Sequence, residues 1–195
     1  TDDILFPDNA KAMFGAGSDL QIYHDGSNSF IVDNGTGGLQ LRGSTFVALQ
    51  GTNGENGVLV TENGSAQLRF NNSPKLETTA TGVTVTGTAV ATTDTDTSNT
   101  GSVTLDFGAN QNFVLTLTGN VTLANPTTEQ VGQSGFITFI QDGTGSRTVS
   151  LGTDYETAAG AGLTLSSAAS TTDIVPYIVA ASGRILLCAP QLAFA

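Results

Sequence analysis

Tryptophan is missing from this 195-residue chain, and cysteine and histidine each occur only once. The single cysteine, Cys188, excludes a disulfide within the chain, and its apolar surroundings at 185–188 predict a buried small hydrophobic residue. One cysteine and one histidine also cannot supply the nitrogen and sulfur ligands of a structural zinc site. We therefore expect no disulfide, no metal and no cofactor.

Charge is scarce as well. Charged residues make up 12% of the chain, and 17 acidic against 6 basic side chains give a net charge of -11. The basic residues are scattered, so no patch exists to neutralise phosphates, and nucleic-acid binding is not expected. No apolar run approaches the roughly 20 residues of a membrane-spanning helix, so membrane insertion is not expected either.

Glycine is abundant, with 24 residues, and threonine, serine and asparagine fill the gaps between short apolar runs. Threonine and valine favour strands, whereas glycine and asparagine favour turns. No window shows a convincing helical periodicity. The composition therefore predicts an all-β fold.

The first half contains an internal repeat. QIYHDGSNSF at 21–30 aligns without a gap with QLRFNNSPKL at 67–76, and each copy has the pattern of a strand, a polar turn and an apolar return. Each copy is followed by a glycine-led segment predicted as a strand, at 38–43 and 82–87. Between the copies, residues 52–64 carry three Asn-Gly pairs, which are typical of hairpin turns. Because one copy has few large apolar residues, we expect the hairpins to stack along an axis and on identical chains.

The division into domains follows from composition. We predict a repetitive β-hairpin stalk at 1–90, a linker at 91–101 that lacks large apolar residues, and a β-sandwich-like or jelly-roll-like domain at 102–195. The whole is expected to be an oligomer of identical chains.

Three hairpins are predicted in the second half. One turns at Gly119-Asn120, one pairs 136–141 with 147–151, and one pairs 174–179 with 184–188 across Ser182-Gly183. Pro176 has no amide hydrogen and is placed at a sheet edge or a bulge. The residues expected in the core are Phe113, Leu115, Phe136, Phe139, Ile178 and Leu186.

The repeated phrases resemble a known family. DLQIYHDGSNSFI (19–31) and SPKLETTATGVTVTGT (73–88) are similar to recurrent segments of tail-fibre and other virion proteins of marine tailed bacteriophages, including cyanophages. NFVLTLTGNVTLANPT (112–127), GQSGFITFIQDGTGSRTV (132–149) and the closing APQLAFA (189–195) resemble the C-terminal module of the same proteins. The resemblance also predicts that the natural C terminus is present, whereas no virion-attachment segment is recognisable near residue 1.

This resemblance implies a rod-like, intertwined trimer that is a structural component on the exterior of a phage particle. It implies no enzymatic activity. Its partners would be two further copies of the chain and other virion proteins. A capsid decoration protein built from the same modules, a module that binds a host-surface glycan and a polysaccharide-degrading spike remain alternatives.

Few residues are candidates for chemistry. His24 aligns with Phe70 in the second repeat, which favours a packing role. The segment Asp94–Ser98 resembles the start of a calcium loop but lacks the later glycine and glutamate, and it is interpreted as solvated. Asp142, Asp154 and Glu156 could be read as the carboxylate pair of a glycosidase, but the sequence cannot establish their separation.

The candidate receptor contact is the loop-like segment 152–162. It combines Tyr155, an aromatic residue that looks exposed, with Asp154 and Glu156. An aromatic face can pack against a sugar ring while carboxylates accept hydrogen bonds from its hydroxyl groups. The alternative is that Tyr155 simply packs over a neighbouring strand.

Overall fold

The computed structural model describes residues 3–195, and it is all-β, as predicted, with 51% of residues in strands and 2% in helix. Contacts divide the chain into an N-terminal unit, Thr1–Thr88, and a C-terminal unit, Ala89–Ala195. No helix in the described part of the chain has the length and apolarity needed to cross a membrane.

The N-terminal unit contains two antiparallel sheets. The first has the order β1-β2-β3 and the second the order β4-β5-β6-β7-β8. Their strands are β1 (Lys11–Phe14), β2 (Leu20–His24), β3 (Ser29–Asp33), β4 (Phe46–Gln50), β5 (Asn56–Thr61), β6 (Ala66–Phe70), β7 (Ser73–Thr79) and β8 (Gly82–Val85).

The internal repeat is confirmed as two hairpins, β2–β3 and β6–β7. The turns differ in length although the sequences align. In the first, the carboxylate of Asp25 accepts hydrogen bonds from the amides of Ser27 and Asn28. In the second, Asn71 and Asn72 alone form the turn, both with positive φ, as a tight hairpin requires.

One predicted strand is absent from this unit. Residues 38–43 form no strand, and the segment is exposed throughout. It has the alternation of a strand but no neighbouring strand to complete its hydrogen bonds. The strand predicted at 82–87 is confirmed as β8.

The C-terminal unit is one mixed sheet, with the main order β12-β10-β11-β14-β15-β13 and with β9 beside β10 and β16 beside β14. Four of its strand pairs are parallel, and three are antiparallel. The strands are β9 (Thr93–Thr104), β10 (Asn112–Ala124), β11 (Ser134–Gln141), β12 (Val149–Leu151), β13 (Tyr155–Thr157), β14 (Thr172–Ala181), β15 (Arg184–Leu187) and β16 (Gln191–Phe194).

The linker predicted at 91–101 is wrong in its local structure, because β9 begins at Thr93 and runs parallel to β10. Threonine has a high strand propensity, and an exposed strand at the side of a sheet needs no large apolar residue. The buried side chain of Asn99 fastens β9, since its amide donates to the carbonyls of Asp96 and Thr116 at 3.1 and 3.2 Å.

Two of the three predicted hairpins are also wrong. β10 continues through Gly119-Asn120, and Gly119 is needed there because a Cβ would collide with the side chain of Thr100. β11 pairs with β10 and β14, and β12 pairs with a later part of β10. The segments 136–141 and 147–151 thus lie one after the other along β10 instead of facing each other.

The third hairpin, β14–β15, is confirmed, with Ala181 opposite Arg184 across the predicted turn. Pro176 lies inside β14 and not at a sheet edge, and its carbonyl accepts from the amide of Cys188 at 2.9 Å. Pro176 lies between Tyr177, which pairs with β15, and Ile174, which pairs with β16. The missing amide hydrogen is therefore tolerated in an interior strand.

The core of the C-terminal unit lies on one face of β10, β11, β14 and β15. The buried apolar residues are Leu105, Phe107, Phe113, Leu115, Leu117, Val121, Leu123, Ile137, Phe139, Val149, Tyr155, Val175, Tyr177, Val179, Ile185 and Leu187. The ring of Phe107 packs against those of Phe113 and Tyr177, with centroids 4.9 and 5.2 Å apart.

The predicted core is half right. Phe113, Leu115 and Phe139 are buried, whereas Phe136 and Ile178 are 52% and 43% exposed. Leu186 is only partly buried, and Cys188, also predicted to be buried, is exposed. The reason is strand alternation, because neighbours such as Ile137, Val179 and Leu187 occupy the buried face.

Two buried polar side chains fasten the loops around this core. Gln141 donates to the carbonyls of Arg147 and Ser166 and accepts from the Arg147 amide. Asp173, 1% exposed, accepts from the amide and hydroxyl of Ser166 at 2.6 and 2.8 Å and from the Ala193 amide at 2.8 Å. These bonds satisfy groups that burial would otherwise leave unpaired.

The two phenylalanines of β11 provide a matched test. We expect Phe139→Ala to lower the free energy of unfolding by about 3–5 kcal/mol, because it opens a cavity in the core. Phe136→Ala removes the same atoms from the opposite face and should cost clearly less. Chemical denaturation of both variants measures the difference, and equal losses would show that β11 has been assigned the wrong buried face.

Candidate functional site

The segment predicted to contact a receptor is only partly a loop. Residues 155–157 form β13, which pairs in parallel with β15, and a single 3-10 turn follows at Ala158–Gly160. The Asp154 carbonyl accepts from the Ile185 amide at 2.7 Å. A shallow cleft of about 330 Å³ beside β13 is lined by Leu151, Gly152, Tyr155, Glu156, Thr157, Gly160 and Gly162.

Tyr155 does not have the exposure predicted for it. It is 5% exposed and belongs to the core, so its ring cannot offer a face to a sugar. Its hydroxyl has no hydrogen-bond partner among the described residues. Burial, followed by the nearby carboxylates of Asp154 and Glu129, raises the pKa of the phenol well above its ordinary value.

The two carboxylates beside Tyr155 remain at the surface. Glu156 is exposed and forms an ion pair with Arg184, with Nε–Oε1 and Nη2–Oε2 distances of 2.9 and 3.1 Å. This pairing lowers the pKa of Glu156. Asp154 is half-buried, and its amide donates to the side chain of Asn125 at 3.1 Å. Their role as receptor contacts stays a prediction.

Asp142 lies in the turn after β11, as its residue type predicts. Its carboxylate accepts from the amides of Thr144 and Gly145 and from the Arg147 guanidinium, whose Nη2 lies 2.8 Å away. The Arg147 hydrogen bond, with the two amides, lowers the pKa of Asp142 to about 2. This carboxylate organises the turn that leads towards β12.

The arginine partners argue against Asp142 or Glu156 as the general acid of a glycosidase. A general acid in such an enzyme needs a raised pKa, whereas arginine partners lower the pKa of both Asp142 and Glu156. Among residues 3–195, no group of three His, Cys, Asp or Glu side chains is placed to hold a metal ion. His24 is exposed, and its Nδ1 lies 3.2 Å from the Ser29 hydroxyl.

A second candidate surface, which the sequence reasoning missed, lies on the sheet β4–β8. One row of residues in register crosses all five strands and is entirely apolar: Leu49, Val58, Leu68, Leu76 and Val85. Leu49 and Leu68 are 59% and 51% exposed. We call the side of the sheet that carries this row the apolar face of β4–β8.

The flanking rows show that this sheet is amphipathic. Val47, Val60 and Val83 lie on the apolar face, two residues from members of the first row. The opposite face carries Gln67, whose side-chain amide donates to Glu77 at 2.6 Å, and Thr84, which is opposite Glu77. The signal was present in the sequence as period-two alternation, for example VTV at 83–85.

Comparison with known proteins bears on the C-terminal unit. Residues 99–183 match the family model described as "Putative phage tail fibre C-terminal domain". This match supports a phage tail-fibre protein. It agrees with the resemblance found in the sequence, and it points to a structural component of the virion, whereas an origin among marine phages stays a prediction. No curated protein and no solved structure matched the chain.

Burial of Tyr155 gives the first test of this region. Tyr155→Phe removes only a hydroxyl that has no hydrogen-bond partner among residues 3–195, so we expect the thermal midpoint to stay within about 2 °C of the wild type or to rise. Tyr155→Ala should instead cost about 3–5 kcal/mol, as for other buried aromatic residues. Thermal unfolding compares them, and a large loss in Tyr155→Phe would reveal a hydrogen bond to the hydroxyl.

The Asp142–Arg147 pair gives a pH-dependent test. The pKa of Asp142 is lower in the folded chain than in the unfolded chain, so the ionised carboxylate stabilises the fold. Its contribution to the free energy of unfolding is complete at neutral pH and is lost as pH falls towards 2. Asp142→Asn should therefore melt below the wild type at pH 7, and the gap should close near pH 2. Arg147→Gln in the Asp142→Asn background should lower the melting temperature little further. A difference in melting temperature between wild type and Asp142→Asn that does not change with pH would contradict the lowered pKa of Asp142.

Proposed function

We propose that the chain is a structural module of a bacteriophage tail fibre or spike, that it works as a homotrimer on the exterior of the virion, and that it associates there with other virion proteins. The observation that carries association with further copies is burial, and the number three is what the resemblance to tail fibres implies. Among residues 3–88 no side chain is buried, and large apolar residues on both sheets are exposed to solvent. Such a unit lacks the driving force for folding unless other chains cover it.

The two units support different parts of this proposal. The C-terminal unit has its own core and carries the similarity to phage tail fibres. Over residues 3–88 the N-terminal unit consists of successive hairpins without a core, which is the pattern expected of a stalk built from several chains. A net charge of -11 favours solubility and low non-specific adhesion, which suits the outside of a particle.

A contribution to host attachment is the finer part of the proposal. Loops held by a rigid β scaffold commonly carry binding residues. The cleft beside β13 is such a place, with Glu156 in its lining and Asp154 two positions before Glu156 in the chain. Both carboxylates can accept hydrogen bonds from the hydroxyl groups of a host glycan, whereas Tyr155 contributes only through packing.

The trimer is tested by the mass of the purified chain in solution. Multi-angle light scattering at micromolar concentration should give three times the mass of the chain, with no dependence on further dilution into the low micromolar range. A folded monomer that retains the N-terminal hairpins, as seen by circular dichroism, would overturn the trimer and with it the stalk.

Attachment is tested on phage particles. Asp154→Asn and Glu156→Gln together remove both charges with little change in shape, and we expect the adsorption rate to host cells to fall at least tenfold. Glu62→Gln, in an exposed turn of the N-terminal unit, is the matched control. Normal adsorption by the double variant with an intact trimer would leave the chain with a purely architectural role.

A further inference from the structure

Among residues 3–88 nothing covers the apolar face of β4–β8. Leu68, on the middle strand, is 51% exposed, and Val83 and Val85 on the last strand are 62% and 47% exposed. An antiparallel sheet with one polar and one apolar face normally has the apolar face against a core. Here residues 3–88 supply no such core.

The face is also free of charge, although the chain carries a net charge of -11. The apolar row and its flanking valines contain no ionisable side chain, whereas the opposite face carries Glu77 and, beside it, Gln67. Copies of a strongly acidic chain repel one another across charged surfaces. They can approach most closely where the charge is absent and apolar area is gained.

The occupant must be present whenever the N-terminal unit is folded, because that unit has no buried side chain of its own among residues 3–88. Another copy of the same chain meets this requirement, because it is present wherever the protein is made. An apolar stripe that crosses all five strands in register can meet an identical stripe without a charged or polar interruption. The observations therefore favour self-association over an unrelated partner.

We infer that the apolar face of β4–β8 packs against the same face of two other copies of this chain, so that three sheets enclose a shared core around a threefold axis. This inference rests on the homotrimer proposed above and assigns its interface in the N-terminal unit. The polar face with Gln67 and Glu77 then points outwards. Leu68, in the middle of the row, lies nearest the centre of the apolar face of each sheet.

Two adjacent residues of β8 make a matched pair for the test. Val85 lies on the apolar face and Thr84 on the polar face, opposite Glu77, and both are exposed in the single chain. Val85→Lys would bury three unpaired ammonium groups in the shared core, which is strongly unfavourable. We expect its trimer dissociation constant to rise at least a hundredfold, whereas Thr84→Lys should remain as trimeric as the wild type. Sedimentation equilibrium measures both.

A second measurement does not depend on whether Val85→Lys folds. In a Cys188→Ser background, which removes the exposed native thiol, Val85→Cys and Thr84→Cys each carry one cysteine. In the native trimer, Val85→Cys should react with a maleimide at least tenfold more slowly than Thr84→Cys. The two rates should become equal in denaturant.

The outcomes separate the two proposals. A wild-type chain that is not a trimer overturns the homotrimer and this interface together. A wild-type trimer in which Val85→Lys assembles normally, or in which both cysteines react equally fast, overturns this interface and leaves the homotrimer standing. A trimer lost in Val85→Lys but kept in Thr84→Lys, with slow labelling at position 85, supports the inference.

Discussion

Strand geometry sends successive side chains to opposite faces of a sheet, and both units of this chain depend on which of those faces is covered. In the C-terminal unit, one face of β10, β11 and β14 is covered by the chain itself, and Phe113, Phe139 and Val175 are buried there. In the N-terminal unit, the alternation is equally regular, but none of residues 3–88 covers the apolar side of β4–β8. The same local rule therefore produces a self-sufficient core in one unit and an exposed apolar face in the other.

Local features of the sequence were sufficient for part of the fold. Turn residues placed the hairpins β2–β3, β6–β7 and β14–β15, because Asn, Asp and Gly impose their backbone conformations locally. Parallel pairing has no comparable local signal. β9, β11 and β12 reach β10 through connections that the sequence does not mark, and Gly119 was read as a turn when it serves a close approach to Thr100.

Burial was predicted least well where apolar residues are adjacent. In the runs around β11, β14 and β15 both faces carry large apolar side chains, so the alternation alone does not say which set faces the core. Phe136 and Phe139 are three positions apart and must lie on opposite faces. The exposure of Tyr155 was predicted wrongly for a related reason, because the residues on either side of it in the sequence are the carboxylates Asp154 and Glu156. The roles of Gln141 and Asp173 depend on loops that are distant in sequence.

The bond from the Tyr177 hydroxyl to the Gln111 carbonyl joins residues 66 positions apart. Closing so long a loop lowers the chain entropy before stabilising contacts form. Sheets built from distant segments fold slowly for this reason. β10 and β11 are synthesised well before β14, which completes their buried face. During that interval their apolar runs stay open to solvent and to neighbouring nascent chains. We therefore expect the core of the C-terminal unit to close only after β14 has been synthesised, and we expect aggregation of the exposed segments before that point to lower the yield of assembled protein.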